Sequence, residues 1–224
     1  MQEFKVFATN SVLFKDRREA GKQLAQLLEN YRKENTVVLG LPRGGVPVAF
    51  EVAQELEVPL DVIVSRKIGA PGNPEFGIGA ISENDTQILD KSTAHLLGIS
   101  ENELEEVISK EKQELSRRIE KYRGGYPLPF LENKTVILVD DGLATGVTAR
   151  AAIAAIKRTD SAEIVFAAPV CAYDTTQTLA TQVANLVCFY APYDFRAAGM
   201  YYQEFEQTSD EEVVQYLRKA KRVT

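Results

Sequence analysis

The chain has 224 residues and a formal net charge of −6: a length that suits one α/β core with an elaboration, and an acidic balance that disfavours a general nucleic-acid binder. The sole histidine, His95, excludes a triad or zinc centre that needs more than one imidazole; Cys171 and Cys188 both lie in apolar runs, which suits buried free thiols rather than a disulfide or metal site. No stretch approaches the length of a membrane span and the N-terminus has no apolar core of signal-peptide type, so a soluble, cytoplasmic protein is expected.

In chain order, Lys15 to Lys33 places Ala20, Leu24, Leu27, Leu28 and Tyr31 on one face, the spacing of an amphipathic helix. Thr36 to Gly40 predicts a short buried strand. The turn Leu41-Pro42-Arg43-Gly44-Gly45 follows, then a helix from Val46 to Leu56 with Pro47 near its first turn. Leu60 to Val64 reads as a second core strand that runs into Ser65-Arg66-Lys67. Gly69 to Gly79, with Pro71, Gly72, Pro74 and Gly77, has the composition of a mobile loop, and Ile78 to Ser82 and Gln87 to Leu89 can pair as a hairpin. Ser100 and Glu103 form a capping-box pattern that opens a helix ending near Gly124. Its first turns are acidic and its last turn basic (Arg117, Arg118, Lys121), and Leu104, Ile108, Leu115, Ile119 and Tyr122 form a narrow apolar stripe.

Val136 to Val139, Ile164 to Val170 and Leu186 to Phe189 supply three more strands, separated by helices at Ala149 to Lys157 and Thr175 to Val183. The alternation predicts an α/β fold, a doubly wound, mainly parallel, five-stranded sheet flanked by helices.

The most informative run is Val136 to Thr148, VILVDDGLATGVT. A buried strand delivers Asp140 and Asp141 to its carboxyl end, and a loop of small and hydroxyl residues follows at a helix N-terminus. Helix capping explains one acid. Two like charges side by side are costly unless cations or hydroxyls bind them. The carboxylates suit ribose hydroxyls or a hydrated Mg²⁺, while Thr145, Gly146, Val147 and Thr148 can wrap a phosphate. At the first strand-to-helix turn, Gly44 and Gly45 let backbone N–H groups approach an anion and Arg43 adds a planar cationic fork, although a tight turn alone also favours Gly-Gly. Arg66 and Lys67, at the end of the second strand, suit a developing negative charge or are ordinary surface charge.

The run from Val136 to Thr148 resembles the phosphoribosyl diphosphate (PRPP) signature of type I phosphoribosyltransferases. The resemblance implies that Asp140 and Asp141 hold the ribose 2- and 3-hydroxyls and that Ala144, Thr145, Gly146, Val147 and Thr148 hold the 5-phosphate. It makes the turn at Arg43, Gly44 and Gly45 a pyrophosphate-binding loop, for which a non-proline cis peptide beside Arg43 is expected. Arg66 and Lys67 become pyrophosphate contacts that act with the acids in catalysis, and Gly69 to Gly79 becomes a lid. Mg²⁺ is the implied cofactor, bridging pyrophosphate and ribose and held by Asp140 and Asp141 through water. The implied reaction is displacement of pyrophosphate by a nitrogen nucleophile without a covalent intermediate.

By the same resemblance, residues 1–224 form a single phosphoribosyltransferase domain: a core at about 36–189, a helical insertion at about 90–124, and a hood from about 1–14 and 190–224. Members acting on 6-oxopurines carry an aspartate where this chain has Ala144, which disfavours hypoxanthine and guanine. In the hood, Tyr190 to Tyr202 is the candidate base-binding segment, with Tyr193 or Phe195 stacking and Asp194 or Arg196 hydrogen-bonding. The expected partners are PRPP and a small-molecule acceptor, a nucleobase or similar amine, within a homodimer. The alternative is a non-catalytic PRPP-binding regulator; the acidic balance and the lack of a recognisable DNA-binding appendage favour the enzyme. A PRPP-synthesising diphosphokinase would need a second similar domain and ATP-binding residues that the chain does not display.

Overall fold

The computed structural model describes residues 3–8 and 12–221. Among these the strands are β1 (Glu3–Ala8), β2 (Thr36–Gly40), β3 (Leu60–Val62), β4 (Ser65–Ala70), β5 (Asn73–Ser82), β6 (Thr86–Leu89), β7 (Thr135–Val139), β8 (Glu163–Val170) and β9 (Asn185–Tyr190). The helices are α1 (Arg17–Leu27), α2 (Gly45–Leu56), α3 (Lys91–Leu96), α4 (Glu101–Arg123), α5 (Val147–Lys157), α6 (Tyr173–Ala180) and α7 (Asp210–Ala220).

The five expected core strands form one parallel sheet in the order β9-β8-β7-β2-β3. Side chains alternate across it, and both faces are apolar. Val38, Ile137, Val139, Val165 and Ala167 meet α1, α2, α4 and α7 on one side. Val37, Leu39, Val136, Leu138 and Phe166 meet α5 and α6 on the other. This is the pattern of a sheet covered on both faces, and each fully buried large side chain contributes roughly 1.5–3 kcal/mol.

A sixth strand, β1, extends the sheet by pairing in parallel with β9, from Glu3 opposite Asn185 to Ala8 opposite Tyr190. Its short alternation, Glu3-Phe4-Lys5-Val6, suits an edge strand and is easily mistaken for a terminal tail. The rest of the terminal hood also divides. A 3₁₀ turn at Ala198–Tyr201 and the bridge between Phe14 and Tyr202 lie beside one another, whereas α7 buries Val213 and Leu217 in the core. Residues 1–2, 9–11 and 222–224 of the expected hood lie outside the described residues.

The stretch expected as a Gly/Pro-rich loop is an antiparallel hairpin, β4 against β5, with β6 added on the far side of β5. Its glycines serve close approach within the ladder. A Cβ at Gly69 would lie 2.6 Å from Pro74 Cα, and one at Gly79 would lie 2.8 Å from Leu89 Cδ2. The register shifts on both sides of Gly69, as at a β-bulge, so these residues mark a distorted ladder as readily as a loop.

The long insertion helix follows its sequence closely. Ser100 caps α4 in a capping box with Glu103, and Gly124 closes it in the left-handed region at φ 64°. Leu115 and Tyr122 reach the core, while α3 keeps His95 on the surface. The C-terminal end of α4 pins the root of the hairpin through a buried ion pair between Arg123 and Glu83, and Glu83 Oε1 also accepts the Val64 N–H at 2.8 Å. Asp16 caps α1, whose first stretch stops at Leu27 and passes into a 3₁₀ turn at Glu29–Tyr31 rather than running on to Lys33. Cys171 and Cys188 are buried free thiols.

Candidate active site

β2 and β7 are neighbours, paired from Thr36 opposite Thr135 to Gly40 opposite Val139. The helix after β2 packs on one face of the sheet and the helix after β7 on the other. The connections therefore diverge at this pair of strands and open a crevice at their carboxyl ends, where open α/β sheets bind ligands. The N-termini of α2 and α5 flank it: the first-turn N–H groups of α5 lack intrahelical acceptors, whereas in α2 Gly45 N–H donates to Leu41 O at 3.0 Å, Val46 N–H to Arg43 O at 3.2 Å, and Pro47 has no N–H.

The turn from Leu41 to Gly45 forms one wall. Its Pro42-Arg43 peptide bond is cis. A Cβ at Gly45 would fall 2.7 Å from the Val139 carbonyl oxygen and 2.9 Å from Asp140 Cα; one at Gly44 would run into the Asp141 carboxylate, 2.7 Å from Cγ. The two glycines thus let the turn press against the acids, a reason for glycine that adds to ligand approach.

The acids are partly buried and differently held. Asp140 Oδ1 accepts the Asp141 N–H at 2.9 Å, and burial together with the neighbouring Asp141 charge pushes the Asp140 carboxyl well above the usual range. Asp141 Oδ2 accepts Arg17 Nε–H at 2.8 Å. The Tyr202 hydroxyl donates to the Asp141 carbonyl oxygen at 2.6 Å, and burial followed by the Asp141 charge raises its own pKa well up, so it stays a donor. A Cβ at Gly142 would strike Ala198, so the segment around 198–206 covers this corner.

The following loop rests on β8 and α6. Leu143 exchanges hydrogen bonds with the backbone there, its N–H reaching Val170 O at 2.8 Å and its carbonyl accepting Ala172 N–H at 2.7 Å. The Thr175 hydroxyl donates to Ala144 O at 2.6 Å. Gly146 sits at φ 68° and turns the chain into α5. Ala144 and Thr145 are exposed, and Val147 and Thr148 half-buried, at the mouth of the crevice.

The cations are engaged elsewhere. Arg43 leans toward Asp210 at the start of α7, 3.9 Å away, where Arg117, Lys121 and the Tyr122 hydroxyl also converge. Arg66 Nε donates to Glu111 Oε2 on α4 at 2.8 Å. Lys67 Nζ donates to the carbonyl and carboxylate oxygens of Glu75 at 3.1 and 3.2 Å. These last two line a cavity of about 660 Å³ between the hairpin and α4. Tyr193 is 81% exposed with its ring centroid 4.2 Å from that of Tyr173. Phe195 stacks on Tyr201 within an aromatic cluster with Phe14, Phe189 and Tyr202, so its ring is occupied by packing.

The structure therefore joins the turn at Arg43 to Gly45 with the acids and the loop from Ala144 to Thr148, and leaves Arg66 and Lys67 in ion pairs on the hairpin. Arg17 is the site residue that sequence reading missed; Tyr202 ends the expected base-binding segment Tyr190 to Tyr202, but its hydrogen bond to the Asp141 carbonyl is not foreseen there. Arg17 looks like surface charge at the start of an amphipathic helix; its one anomaly is a cation at the end of a helix where the dipole disfavours it. Among the described residues no group of three or more His, Cys, Asp or Glu side chains could hold a metal, and no helix is long and apolar enough to cross a membrane.

The family model of the phosphoribosyl transferase domain matches residues 15–189. Rv0571c of Mycobacterium tuberculosis H37Rv, provisionally named a phosphoribosyl transferase, is 42% identical over 210 residues that cover 94% of this chain. The chain spans about half the length of that relative, 47%. The crystal structure of TT1426 from Thermus thermophilus superposes with a TM-score of 0.78 at 38% identity, covering 93% of this chain and 99% of that one. A purine phosphoribosyltransferase from Pyrococcus horikoshii shares the fold at a TM-score of 0.50 and 17% identity, over 86% and 92% of the two chains.

Proposed function

Because the chain belongs to the phosphoribosyl transferase domain family, we propose that it transfers the 5-phosphoribosyl group of PRPP to a nitrogen acceptor with release of pyrophosphate. The observation that carries this reading is the crevice between β2 and β7, where two helix N-termini flank a pair of acids. A molecule with phosphates at two ends and hydroxyls between them matches that order of groups.

In this reading the first-turn amides of α5, with Thr145, Gly146, Val147 and Thr148, bind the 5-phosphate, and Asp140 and Asp141 accept hydrogen bonds from the ribose hydroxyls. The turn of Arg43, Gly44 and Gly45 receives the pyrophosphate at the start of α2. Arg66 and Lys67 join it when the hairpin closes and exchange Glu111 and Glu75 for the leaving group. Two adjacent acids, one carboxyl already pushed up by burial and by its neighbour, suit a divalent cation such as Mg²⁺, which takes most of its ligands from water and phosphate. When bound, Mg²⁺ neutralises charge on the pyrophosphate. The chain's own residues orient the sugar and exclude water.

Ala144 offers no carboxylate beside the base, so adenine, uracil or another amine is the expected acceptor and hypoxanthine and guanine are poor ones. Tyr193, exposed beside Tyr173, is the better placed of the two predicted stacking residues. A homodimer in the cytoplasm completes the reading. The test is pyrophosphate release from PRPP and Mg²⁺ with a panel of adenine, uracil, xanthine, guanine, hypoxanthine and orotate. Turnover of one acceptor supports a transferase, tight PRPP binding without turnover supports the regulatory alternative, and no PRPP binding refutes both.

A further inference from the structure

Arg17 stands at the first position of α1, 124 residues before Asp141 in the chain, and its side chain is 11% exposed. Three separate contacts fix the plane of its guanidinium. Nε donates to Asp141 Oδ2 at 2.8 Å and Nη1 to the carbonyl oxygen of Glu206 at 2.7 Å. The guanidinium Cζ lies over the Phe205 ring, 3.8 Å from the centroid. A surface arginine making a chance ion pair would satisfy one of these; satisfying all three needs the planar fork that arginine has and lysine lacks. The position also opposes the helix dipole, and Arg18 beside it is taken up by Glu51 at 2.7 Å, so α1 gains nothing from Arg17 by itself.

The partners of Arg17 belong to different parts of the site. Asp141 is one of the two acids in the crevice, with Gly44 close against the same Oδ2 that Arg17 holds, while Phe205 and Glu206 belong to the covering segment that also carries Tyr202. We propose that Arg17 is a positioning residue: it fixes the carboxylate of Asp141 and ties the covering segment 202–206 to that same acid, so that the sugar site and the acceptor side of the crevice are set together. With Oδ2 held by Arg17, the ribose hydroxyl assigned to Asp141 is met by Oδ1. The inference rests on the PRPP-binding reading for its effect on the sugar, and on the structure of the free protein for its effect on the covering segment.

Four variants test it: Arg17→Gln, Arg17→Lys, Asp141→Ala and the double variant Arg17→Gln/Asp141→Ala. Each is measured by calorimetry with PRPP and Mg²⁺, and by hydrogen exchange of the ligand-free protein at amides 201–206. Arg17→Gln is expected to weaken PRPP binding by roughly tenfold to a hundredfold, the scale of a charge-assisted hydrogen bond, and to add less than about threefold in the Asp141→Ala background. Arg17→Lys keeps the charge and recovers most of the PRPP affinity. Lacking the fork, it leaves exchange at 201–206 about as fast as in Arg17→Gln, on the order of tenfold above wild type, while β7 exchanges as in wild type.

Wild-type PRPP affinity in Arg17→Gln, an equal loss in the Asp141→Ala background, or no recovery in Arg17→Lys would each overturn the orienting role. Wild-type exchange at 201–206 in Arg17→Gln overturns the tie. If the wild-type protein binds no PRPP, the proposed function fails, and Arg17 is judged by exchange alone: acceleration at 201–206 in both Arg17→Gln and Asp141→Ala upholds the tie, and its absence overturns it.

Discussion

Replacing Gly44 with Ala sets two effects against each other. Gly44 has φ −62° and ψ −31°, a conformation that alanine adopts freely. On backbone grounds alone the substitution should stabilise by about 0.4–1 kcal/mol, because the unfolded chain loses freedom. The three atoms nearest the added Cβ, however, all belong to the Asp141 carboxylate, with Cγ only 2.7 Å away. That carboxylate is tethered to Arg17 at 2.8 Å and cannot retreat without stretching a charged hydrogen bond worth roughly 1.5–3 kcal/mol. The clash should win, for a net loss of about 1–2 kcal/mol, which is a fall in Tm of roughly 2–8 °C for a domain of this size. In an Asp141→Ala background the obstruction is gone, and the same substitution should be neutral or raise Tm slightly. Urea and thermal unfolding of the four proteins read the cycle. An equal penalty in both backgrounds would show that Asp141 is not what fills the space beside Gly44.

Glu83→Ala removes the ion-pair partner of the buried Arg123 guanidinium, which keeps its hydrogen bond to Val62 O and the nearby Asp61 charge, and should cost about 3 kcal/mol in urea unfolding; a loss below about 1 kcal/mol would contradict the buried pair. The Glu114 carboxyl is held at about 2 first by hydrogen bonding to Arg117 and then by Arg118, against an ordinary value of 4.5. A depressed carboxyl adds stability that is complete above pH 4.5 and lost as pH falls toward 2, so Glu114→Gln should flatten the stability profile in that window, and an unchanged slope would refute the assignment. Hydrogen exchange should be fast around Pro71 and Gly72 in the free protein and slow once PRPP and Mg²⁺ are added; identical exchange in the two states would rule out the hairpin as a lid.

Local signals carried the parts of the fold that were legible in the sequence. The strand at Thr36 to Gly40 and the capping box at Ser100 and Glu103 depend on neighbours a few residues away, and both are in place. The pairing of Ile78 to Ser82 with Gln87 to Leu89 is as the sequence predicts, but the stretch Gly69 to Gly79 reads as a loop because glycine frees the backbone in a turn and also permits close approach in a ladder, and composition does not separate the two uses. At the site, Asp140 and Asp141 stood out as like charges in an apolar context. Arg17 and Tyr202 did not, because their meaning lies in partners that meet only after the sheet has formed.

Asp141 takes its place from Arg17, 124 residues upstream, from Gly44 in the first strand-to-helix turn, and from Tyr202, 61 residues downstream. Contacts that distant close last, after the helices and the central strand pairs have met their own loop-closure entropy. On a ribosome the arginine and the glycine emerge early and wait, and the seat of the carboxylate stays open until the tyrosine has been synthesised and has cleared the exit tunnel. Refolding should therefore recover helical signal before PRPP affinity, and a nascent chain halted after Val170 would carry the whole run from Val136 to Thr148 with one side of its second acid still uncovered.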